Sequence, residues 1–292
     1  MEELLYRPPF EADSYLLQVT KGCSHNKCAF CTMYRDIPFR VLSEEEIRSQ
    51  LEQVKGYHIE RVFLENGDPF CLNAEKLKGI CGMVHAYLPN VKTIAMYASI
   101  KNIMTKTDEE LAALSACGIN DLNIGVESGL DEALHMMNKG YTAIQAKEQL
   151  LRLKKAGIRY GANVIFGCAG NERRIENAMA AAELLNETEP YLIFTGTIHS
   201  EPGCSLYEET KNGRFRESTI GEYLEEEECF LEHLQVDDCF FFGAHPSNVC
   251  RMYGWLKDNQ EEMIHAVRET RIDLADRLDQ IPQRGGEGSL FL

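Results

Sequence analysis

The sequence of 292 residues lacks any long hydrophobic run. No apolar stretch reaches the ~18–20 residues that a helix needs to span a bilayer. The first residues, MEELLYRPPFEADSY, are acidic and lack the basic-then-apolar order of a secretory signal peptide. We therefore expect a cytoplasmic protein that does not associate with membranes.

Basic residues are also scarce. Lys and Arg number 30 against 46 Asp and Glu, which leaves a formal net charge of −16. Proteins that bind nucleic acids use Lys and Arg to neutralise phosphates, and the overall field of this chain repels them. We do not expect nucleic acid as a partner. The obvious local reservoir of positive charge is Arg152, Lys154, Lys155 and Arg159, where a solvated helix face is the simpler interpretation.

Internal repeats are absent, and apolar runs instead alternate with helical stretches. The predicted strands are Ser14–Thr20, Arg61–Glu65, Thr93–Ala98, Asp121–Val126, Tyr160–Phe166 and Tyr191–Ile198. Their continuous apolar character is typical of a parallel sheet buried on both faces. The predicted helices are Ser43–Val54, Ala74–Tyr87, Asp108–Ala116, Ala143–Lys155 and Arg174–Leu185. Ser43 with Glu46 forms a capping-box pattern, and Gly118 and Gly157 stand where helices should end.

Six βα units in succession imply right-handed crossovers and an α/β fold that curls into a partial (β/α)6 TIM-like barrel with parallel strands. We assign residues 1–208 to this barrel. An acidic helix at Glu222–Leu234, an apolar run at Asp238–Gly243 and a helical stretch at Lys257–Leu278 predict a C-terminal α/β extension. It covers residues 209–283, closes the barrel's open side and precedes a tail, 284–292. In such folds the active site forms at the C-terminal ends of the strands.

Cysteine is abundant rather than scarce, with eleven residues in the chain. In a reducing compartment these are thiols, metal ligands or catalytic groups. Only Cys23, Cys28 and Cys31 are clustered, directly after the first predicted strand. Three thiolates on one loop can hold an iron–sulfur cluster and leave one iron open. Zinc is the alternative, because Cys28-x2-Cys31 is a common half-site that Cys23 and His25 could complete, although no second such half-site exists.

The cysteine segment resembles the C-x3-C-x2-C motif of the radical S-adenosylmethionine (SAM) superfamily, with one extra residue between the first two cysteines. Phe30 holds the aromatic position just before the third cysteine. In that superfamily the three cysteines bind a 4Fe–4S cluster, and SAM occupies the open iron. The resemblance therefore implies Cys23, Cys28 and Cys31 as metal ligands and Phe30 as a cofactor contact.

Further motifs follow in the superfamily's order, up to about Glu208. The turn from Glu65 to Pro69 looks like the glycine-rich turn that receives the SAM amino group. Glu127 and Lys139 resemble a SAM-binding pair in the subgroup with anaerobic coproporphyrinogen dehydrogenase and the Elongator-type catalytic subunit. The cofactor-binding residues implied in this way are Phe30, Asn66, Gly67, Asp68, Ser99, Glu127, Lys139 and Asn163. Taken singly, each has an ordinary alternative as a turn residue, a surface charge or a polar strand end.

The resemblance implies an enzyme that receives an electron from a reductant such as flavodoxin or ferredoxin. Its cluster cleaves SAM to a 5′-deoxyadenosyl radical, which abstracts hydrogen from the substrate. The charge and the single barrel favour a small molecule or a short peptide as substrate. His199, Cys204 and His245 follow strand-like runs and are the candidate catalytic residues. The alternatives are a tRNA-modifying member of the superfamily and a non-catalytic protein that binds zinc or an iron–sulfur cluster.

Overall fold

Most of the predicted apolar runs form strands in the computed structural model, which describes residues 6–275. The strands are β1 (Tyr15–Gln18), β2 (Thr20–Lys21), β3 (Arg40–Val41), β4 (Arg61–Glu65), β5 (Thr93–Ala98), β6 (Ile119–Glu127), β7 (Arg159–Phe166), β8 (Leu192–Thr197), β9 (Phe240–Phe242) and β10 (Tyr253–Trp255). The helices are α1 (Glu44–Gln53), α2 (Ala74–Tyr87), α3 (Ile100–Met104), α4 (Asp108–Ala116), α5 (Asp131–Met136), α6 (Ala143–Ala156), α7 (Arg174–Thr188), α8 (Ser205–Lys211), α9 (Ile220–His233) and α10 (Leu256–Asp273).

The main sheet has eight strands in the order β1-β4-β5-β6-β7-β8-β9-β10. Neighbours from β1 to β9 are parallel, and β10 runs antiparallel to β9. Helices lie on the crossovers, as parallel pairing requires. The predicted α/β fold with a parallel sheet is therefore confirmed.

The first predicted strand, Ser14–Thr20, is divided in the structure. β1 pairs with β4 as far as Gln18, and then Thr20 and Lys21 pair with Arg40 and Val41 in a separate two-stranded sheet. Val19 between them is fully buried and donates its N–H to the Glu65 carbonyl. This change of partner turns the chain into the loop that carries the clustered cysteines.

The extension continues the same sheet. β9 pairs with β8, so that Phe241 lies beside Ile193, and β10 follows as the edge strand. Helix α9 packs between α7 and α10. The division of the chain at residue 208 stays a prediction. The end of the predicted helix at Leu278 and the tail 284–292 lie outside the described residues.

Helix ends follow the local signals of the sequence. The Ser43 hydroxyl accepts from the Glu46 N–H and the Glu46 carboxylate accepts from the Ser43 N–H, which is the predicted capping box. Gly157 ends α6 with φ +74°, and Gly118 has φ +100° directly after the cap of α4. Positive φ is a conformation that glycine adopts without steric cost. None of the helices between residues 6 and 275 is long and apolar enough to cross a membrane.

The N-terminal segment 6–11 links the two sides of the sheet. The Phe10 ring packs against Phe194 of β8 and Phe242 of β9, with centroids 6.2 and 6.5 Å away. Glu11 is fully buried and forms an ion pair with Arg61 at the start of β4. The segment thereby reaches the interior, which the sequence did not predict.

Candidate active site

A cavity of about 340 Å³ lies where the strands β5 to β8 end. The predicted metal ligands and most of the predicted cofactor-binding residues meet there, although they lie on segments far apart in sequence. The predicted site residues that line it are Cys23, Cys28, Phe30, Cys31, Gly67, Asp68, Ser99, Glu127, Lys139, Asn163, His199 and His245. Asn66 and Cys204 are not among its lining residues.

The three clustered cysteines face this cavity from the loop between β2 and β3. The three residues are half-buried, and the Cys31 N–H donates to the Cys28 carbonyl at 3.2 Å. Burial raises the pKa of all three thiols, that of Cys23 to about 12. Ligation of iron by these residues would therefore displace protons.

The extra residue between the first two cysteines is accommodated by contacts of the loop's own side chains. The backbone N–H and hydroxyl of Ser24 donate to the Asp68 carboxylate at 2.9 and 2.6 Å. The His25 ring donates through Nε2 to the Asn138 carbonyl at 2.8 Å. Asn26 adopts a left-handed conformation with φ +41°, which asparagine tolerates better than most residues. The longer loop is thus anchored at successive positions.

The donor set fits a cluster better than a single metal ion. Within residues 6–275, no group of three His, Cys, Asp or Glu side chains is arranged to hold one ion. Tetrahedral zinc needs four donors at about 2.0–2.3 Å from one point, and the His25 nitrogen instead faces a carbonyl. An iron–sulfur cluster is larger and bonds each thiolate through a different iron. Three thiols around one cavity meet that requirement.

The turn after β4 lies against the cysteine loop because residue 67 is glycine. A Cβ at this position would stand 2.6 Å from the Cys23 Cβ. Asp68, at the cavity wall, accepts from Ser24 and also from the Asn102 amide at 3.3 Å. The buried Asn66 side chain points elsewhere and donates to the Thr20 carbonyl at 2.8 Å. Asn66 therefore supports the turn, and only Gly67 and Asp68 reach the cavity.

Glu127 and Lys139 form a buried ion pair. The Lys139 Nζ lies 2.7 Å from the Glu127 Oε1, and each side chain is 8% exposed. Burial works to lower the pKa of Lys139, but the facing carboxylate outweighs it and raises that pKa, so the ammonium stays charged. Gly125 makes room, since a Cβ there would stand 2.3 Å from the same Oε1. The spacing of twelve residues thus brings both charges to one point of the cavity wall.

Three other predicted cofactor contacts line the cavity without a direct link to that pair. Ser99 follows β5 and accepts from the Asn102 N–H at 3.3 Å, so it also caps α3. Asn163 lies within β7, and Phe30 packs at the edge of the hydrophobic core. All three border the same space.

The other side of the cavity carries imidazole and aromatic groups. The Ser247 N–H donates to His245 Nδ1 at 3.1 Å, so the neutral ring carries its proton on Nε2. The Thr197 N–H at the end of β8 donates to the Ser247 hydroxyl, and the His245 ring packs edge-on against Phe194 at 5.7 Å. Burial lowers the pKa of His199, which keeps that ring neutral at physiological pH.

Cys204 does not accompany the two histidines. It is 2% exposed, belongs to the hydrophobic core and stands just before α8. Conversely, Tyr6 and Tyr34 line the cavity and pack edge-to-face at 5.6 Å, although no sequence pattern marked either. They lie 28 positions apart (34 − 6), and only the path of the N-terminal segment brings them together.

Comparison with known proteins agrees with this geometry. The family profile described as the Radical SAM superfamily matches residues 17–184. The heme chaperone HemW of Lactococcus lactis is 23% identical over 138 residues, 46% of this chain and 36% of HemW. The tRNA-2-methylthio-N(6)-dimethylallyladenosine synthase of Alteromonas mediterranea is 23% identical over 233 residues, 72% of this chain and 47% of that protein. The chain thus spans less than half the length of both relatives.

Solved structures share the fold. Coproporphyrinogen III oxidase (HemN) from Escherichia coli superposes with a TM-score of 0.57 at 17% identity, covering 75% of this chain and 52% of that one. Methylornithine synthase (PylB) superposes with a TM-score of 0.55 at 16% identity, covering 93% of this chain and 83% of that one. The predicted partial barrel is confirmed by these likenesses.

Proposed function

The chain belongs to the radical SAM superfamily, and we propose that it is an enzyme that abstracts hydrogen from a small-molecule or short-peptide substrate. The superfamily uses a 4Fe–4S cluster and SAM, and we assign the cluster to Cys23, Cys28 and Cys31. When bound, these cofactors supply one electron and a carbon-centred radical able to attack an unreactive C–H bond. The observation that carries the proposal is that the three thiols, the Gly67–Asp68 turn and the Glu127–Lys139 pair border one cavity.

The residues on the cofactor side have complementary roles toward SAM. Lys139 offers a charged ammonium to the SAM carboxylate, and Glu127 keeps that ammonium charged and aimed. The turn at Gly67 and Asp68 offers carbonyl and carboxylate oxygens to the SAM amino group. Ser99 and Asn163 supply further hydrogen-bonding groups at the cavity wall.

The substrate side supports a small ligand. A cavity of about 340 Å³ lies within the ~300–1,000 Å³ of typical small-molecule pockets. Aromatic side chains form part of its wall, and His199 and His245 also line it. We propose these two histidines, rather than the core residue Cys204, as the groups that contact substrate or move its protons.

An RNA substrate is the second candidate, favoured by the similarity to the tRNA-modifying synthase. The four basic residues considered for RNA form ion pairs with acids: Arg152 and Lys155 with Asp108, Lys154 with Glu189, and Arg159 with Asp121. Arg159 also begins β7, whereas the cavity lies toward that strand's other end. These contacts support the small-ligand proposal over the RNA one.

The proposal includes the cellular compartment and the source of the electron. All eleven cysteines are free thiols, which suits the cytoplasm, where flavodoxin or ferredoxin could supply the electron. We also propose that the barrel, 1–208, and the extension, 209–283, act together on one site, because His245 and Ser247 of the extension line the cavity.

Anaerobic reconstitution tests the proposed function. Protein treated with iron and sulfide should acquire about one 4Fe–4S cluster with a single iron open to ligands. Addition of SAM should then shift the electron paramagnetic resonance spectrum of the reduced cluster. Stoichiometric zinc without iron in anaerobically purified protein, or a spectrum indifferent to SAM, would refute it.

A further inference from the structure

Helix α9 of the extension carries a glutamate, Glu226, that does not line the cavity. Glu226 is fully buried. Its Oε2 accepts from the Gly167 N–H at 2.8 Å, and its Oε1 accepts from the Asn177 amide at 2.6 Å. No ion pair joins it to a Lys, Arg or His within the described residues. A polar group buried this deeply is costly unless hydrogen bonds compensate, and Gly167 and Asn177 supply those bonds.

Asn177, on α7, connects this carboxylate to the strand β6. The Asn177 side chain is fully buried, and its Oδ1 accepts from the Ser128 hydroxyl at 2.5 Å and from the Cys168 thiol at 3.5 Å. A side-chain amide has one donor end and one acceptor end. Because the Asn177 NH2 group donates to the Glu226 Oε1, the amide oxygen is turned toward Ser128.

Ser128 is the residue after Glu127. Its N–H donates to the Val126 carbonyl at 2.8 Å, which closes a tight turn around Glu127 at φ +63°. A left-handed conformation at a residue other than glycine is unfavourable and persists only where the surroundings impose it. The Ser128 hydroxyl, held by Asn177 and by the Leu130 N–H, is part of those surroundings.

We propose that Glu226 is a positioning residue for the Glu127–Lys139 pair, acting through Asn177 and Ser128. The chain of hydrogen bonds runs from Glu226 through Asn177 to Ser128, which directly follows Glu127, the partner of Lys139. Glu226, Asn177 and Ser128 are all fully buried. The inference rests on the proposed role of that pair in SAM binding, and it gives the extension a part in building the cofactor site.

The substitution Glu226→Gln tests the chain with little change in volume. One glutamine oxygen cannot accept from both Gly167 and Asn177, so the new NH2 group must face a donor. Asn177 can relieve this conflict by rotating its amide, which turns an NH2 group toward Ser128. Since only part of the cost of a misplaced buried hydrogen bond reaches the SAM site, we expect SAM to bind roughly five- to tenfold more weakly to the cluster-loaded protein, equivalent to about 1–1.4 kcal/mol.

Glu227→Gln is the matched control. Glu227 is the next residue of α9, is 3% exposed, and has no hydrogen-bond partner for its Oε1 among the described residues. It takes no part in the chain to Ser128. SAM affinity, measured by calorimetry, should therefore remain that of the wild type in Glu227→Gln.

A reciprocal exchange distinguishes positioning from a general loss of stability. In the double variant Glu226→Gln/Asn177→Asp, the glutamine oxygen accepts from Gly167 and its NH2 donates to the new carboxylate. The other oxygen of that carboxylate accepts from Ser128, so every donor again faces an acceptor. We expect the double variant to regain most of the wild-type SAM affinity, even where Glu226→Gln alone folds poorly.

The outcomes separate this inference from the proposed function. Wild-type affinity in Glu226→Gln, an equal loss in Glu227→Gln, or no recovery in the folded double variant would each overturn the inference. A wild-type protein that takes up no cluster or binds no SAM would overturn the proposed function, and the inference with it. Iron content should be equal in all variants, because none of the substitutions touches the cysteine loop.

Discussion

Single residues with the same chemistry differ by their surroundings, and the cysteines are the clearest case. Cys23, Cys28 and Cys31 face the cavity, whereas Cys81 and Cys239 are buried among apolar side chains. A thiol in an apolar core behaves as a small hydrophobic group. Position relative to the cavity, not cysteine content, therefore marks the candidate ligands.

Replacement of each cavity cysteine tests this distinction. We expect Cys23→Ala, Cys28→Ala and Cys31→Ala each to abolish the cluster, because a cluster held by only three thiolates loses a third of its protein ligands with any one of them. Cys117→Ala is the control, since Cys117 ends α4 and does not line the cavity. Iron and sulfide analysis after anaerobic reconstitution measures the effect. Full iron content in any of the three would remove that residue from the ligand set.

The ion pair of Glu127 and Lys139 gives a second prediction at the residue scale. Lys139→Ala removes a charge-assisted bond to SAM of about 1.5–3 kcal/mol, so binding should weaken roughly ten- to hundredfold. Lys101→Ala is the matched control, because Lys101 lines the same cavity but is exposed. Calorimetry with the cluster-loaded protein should show a far smaller change for Lys101→Ala. Unchanged affinity in Lys139→Ala would refute the anchoring role.

Helix α9 shows how one element combines packing with polar function. Glu226 and Glu227 are adjacent and buried, while Glu225 and Glu228 on the same helix form ion pairs with Arg271 of α10. Burial raises the pKa of both Glu226 and Glu227 to about 8. The helix therefore holds two carboxyl groups that resist ionisation in the folded protein.

This property predicts how stability depends on pH. The folded state keeps protons that the unfolded chain releases above its ordinary carboxyl pKa near 4.5, so stability falls as pH rises from that value to about 8. Each group contributes up to about 1.4 kcal/mol per pH unit. Glu227→Gln removes one of them and should flatten the decline, measured by chemical denaturation between pH 5 and 8. An equally steep decline in the variant would contradict the assignment.

At the scale of the whole molecule, charge and cavity position together favour a small substrate. The net charge is −16, and the basic side chains considered for RNA are engaged in ion pairs. Binding to total cellular RNA should therefore be weaker than micromolar and add nothing to 5′-deoxyadenosine release. Micromolar binding that falls steeply with salt, together with RNA-stimulated release, would instead establish the RNA alternative.

Local patterns in the sequence were enough to predict the fold and the family. Continuous apolar runs such as Thr93–Ala98 become central strands because a parallel sheet buries both of its faces. Each segment shows this requirement in its own residues, without reference to its neighbours in space. The radical SAM resemblance, which rested on an ordered series of local motifs, is confirmed by the family profile over residues 17–184. Which residues bind the cofactors stays a prediction, although most of the residues that the resemblance implied line one cavity.

Contacts between distant segments were decided by the tertiary structure alone. Ser24 meets Asp68 across 44 positions and Ser128 meets Asn177 across 49, and no periodicity encodes such pairs. Cys204 and Asn66 illustrate the same limit, because their place near strand ends was predictable but the direction of their side chains was not. The sequence determined the main strands and helices and the chemistry that they carry, but not short elements such as α3, α5 and α8. The packing of α7 and α9 on the barrel decided which polar groups face one another, because buried donors and acceptors must be matched in space rather than along the chain.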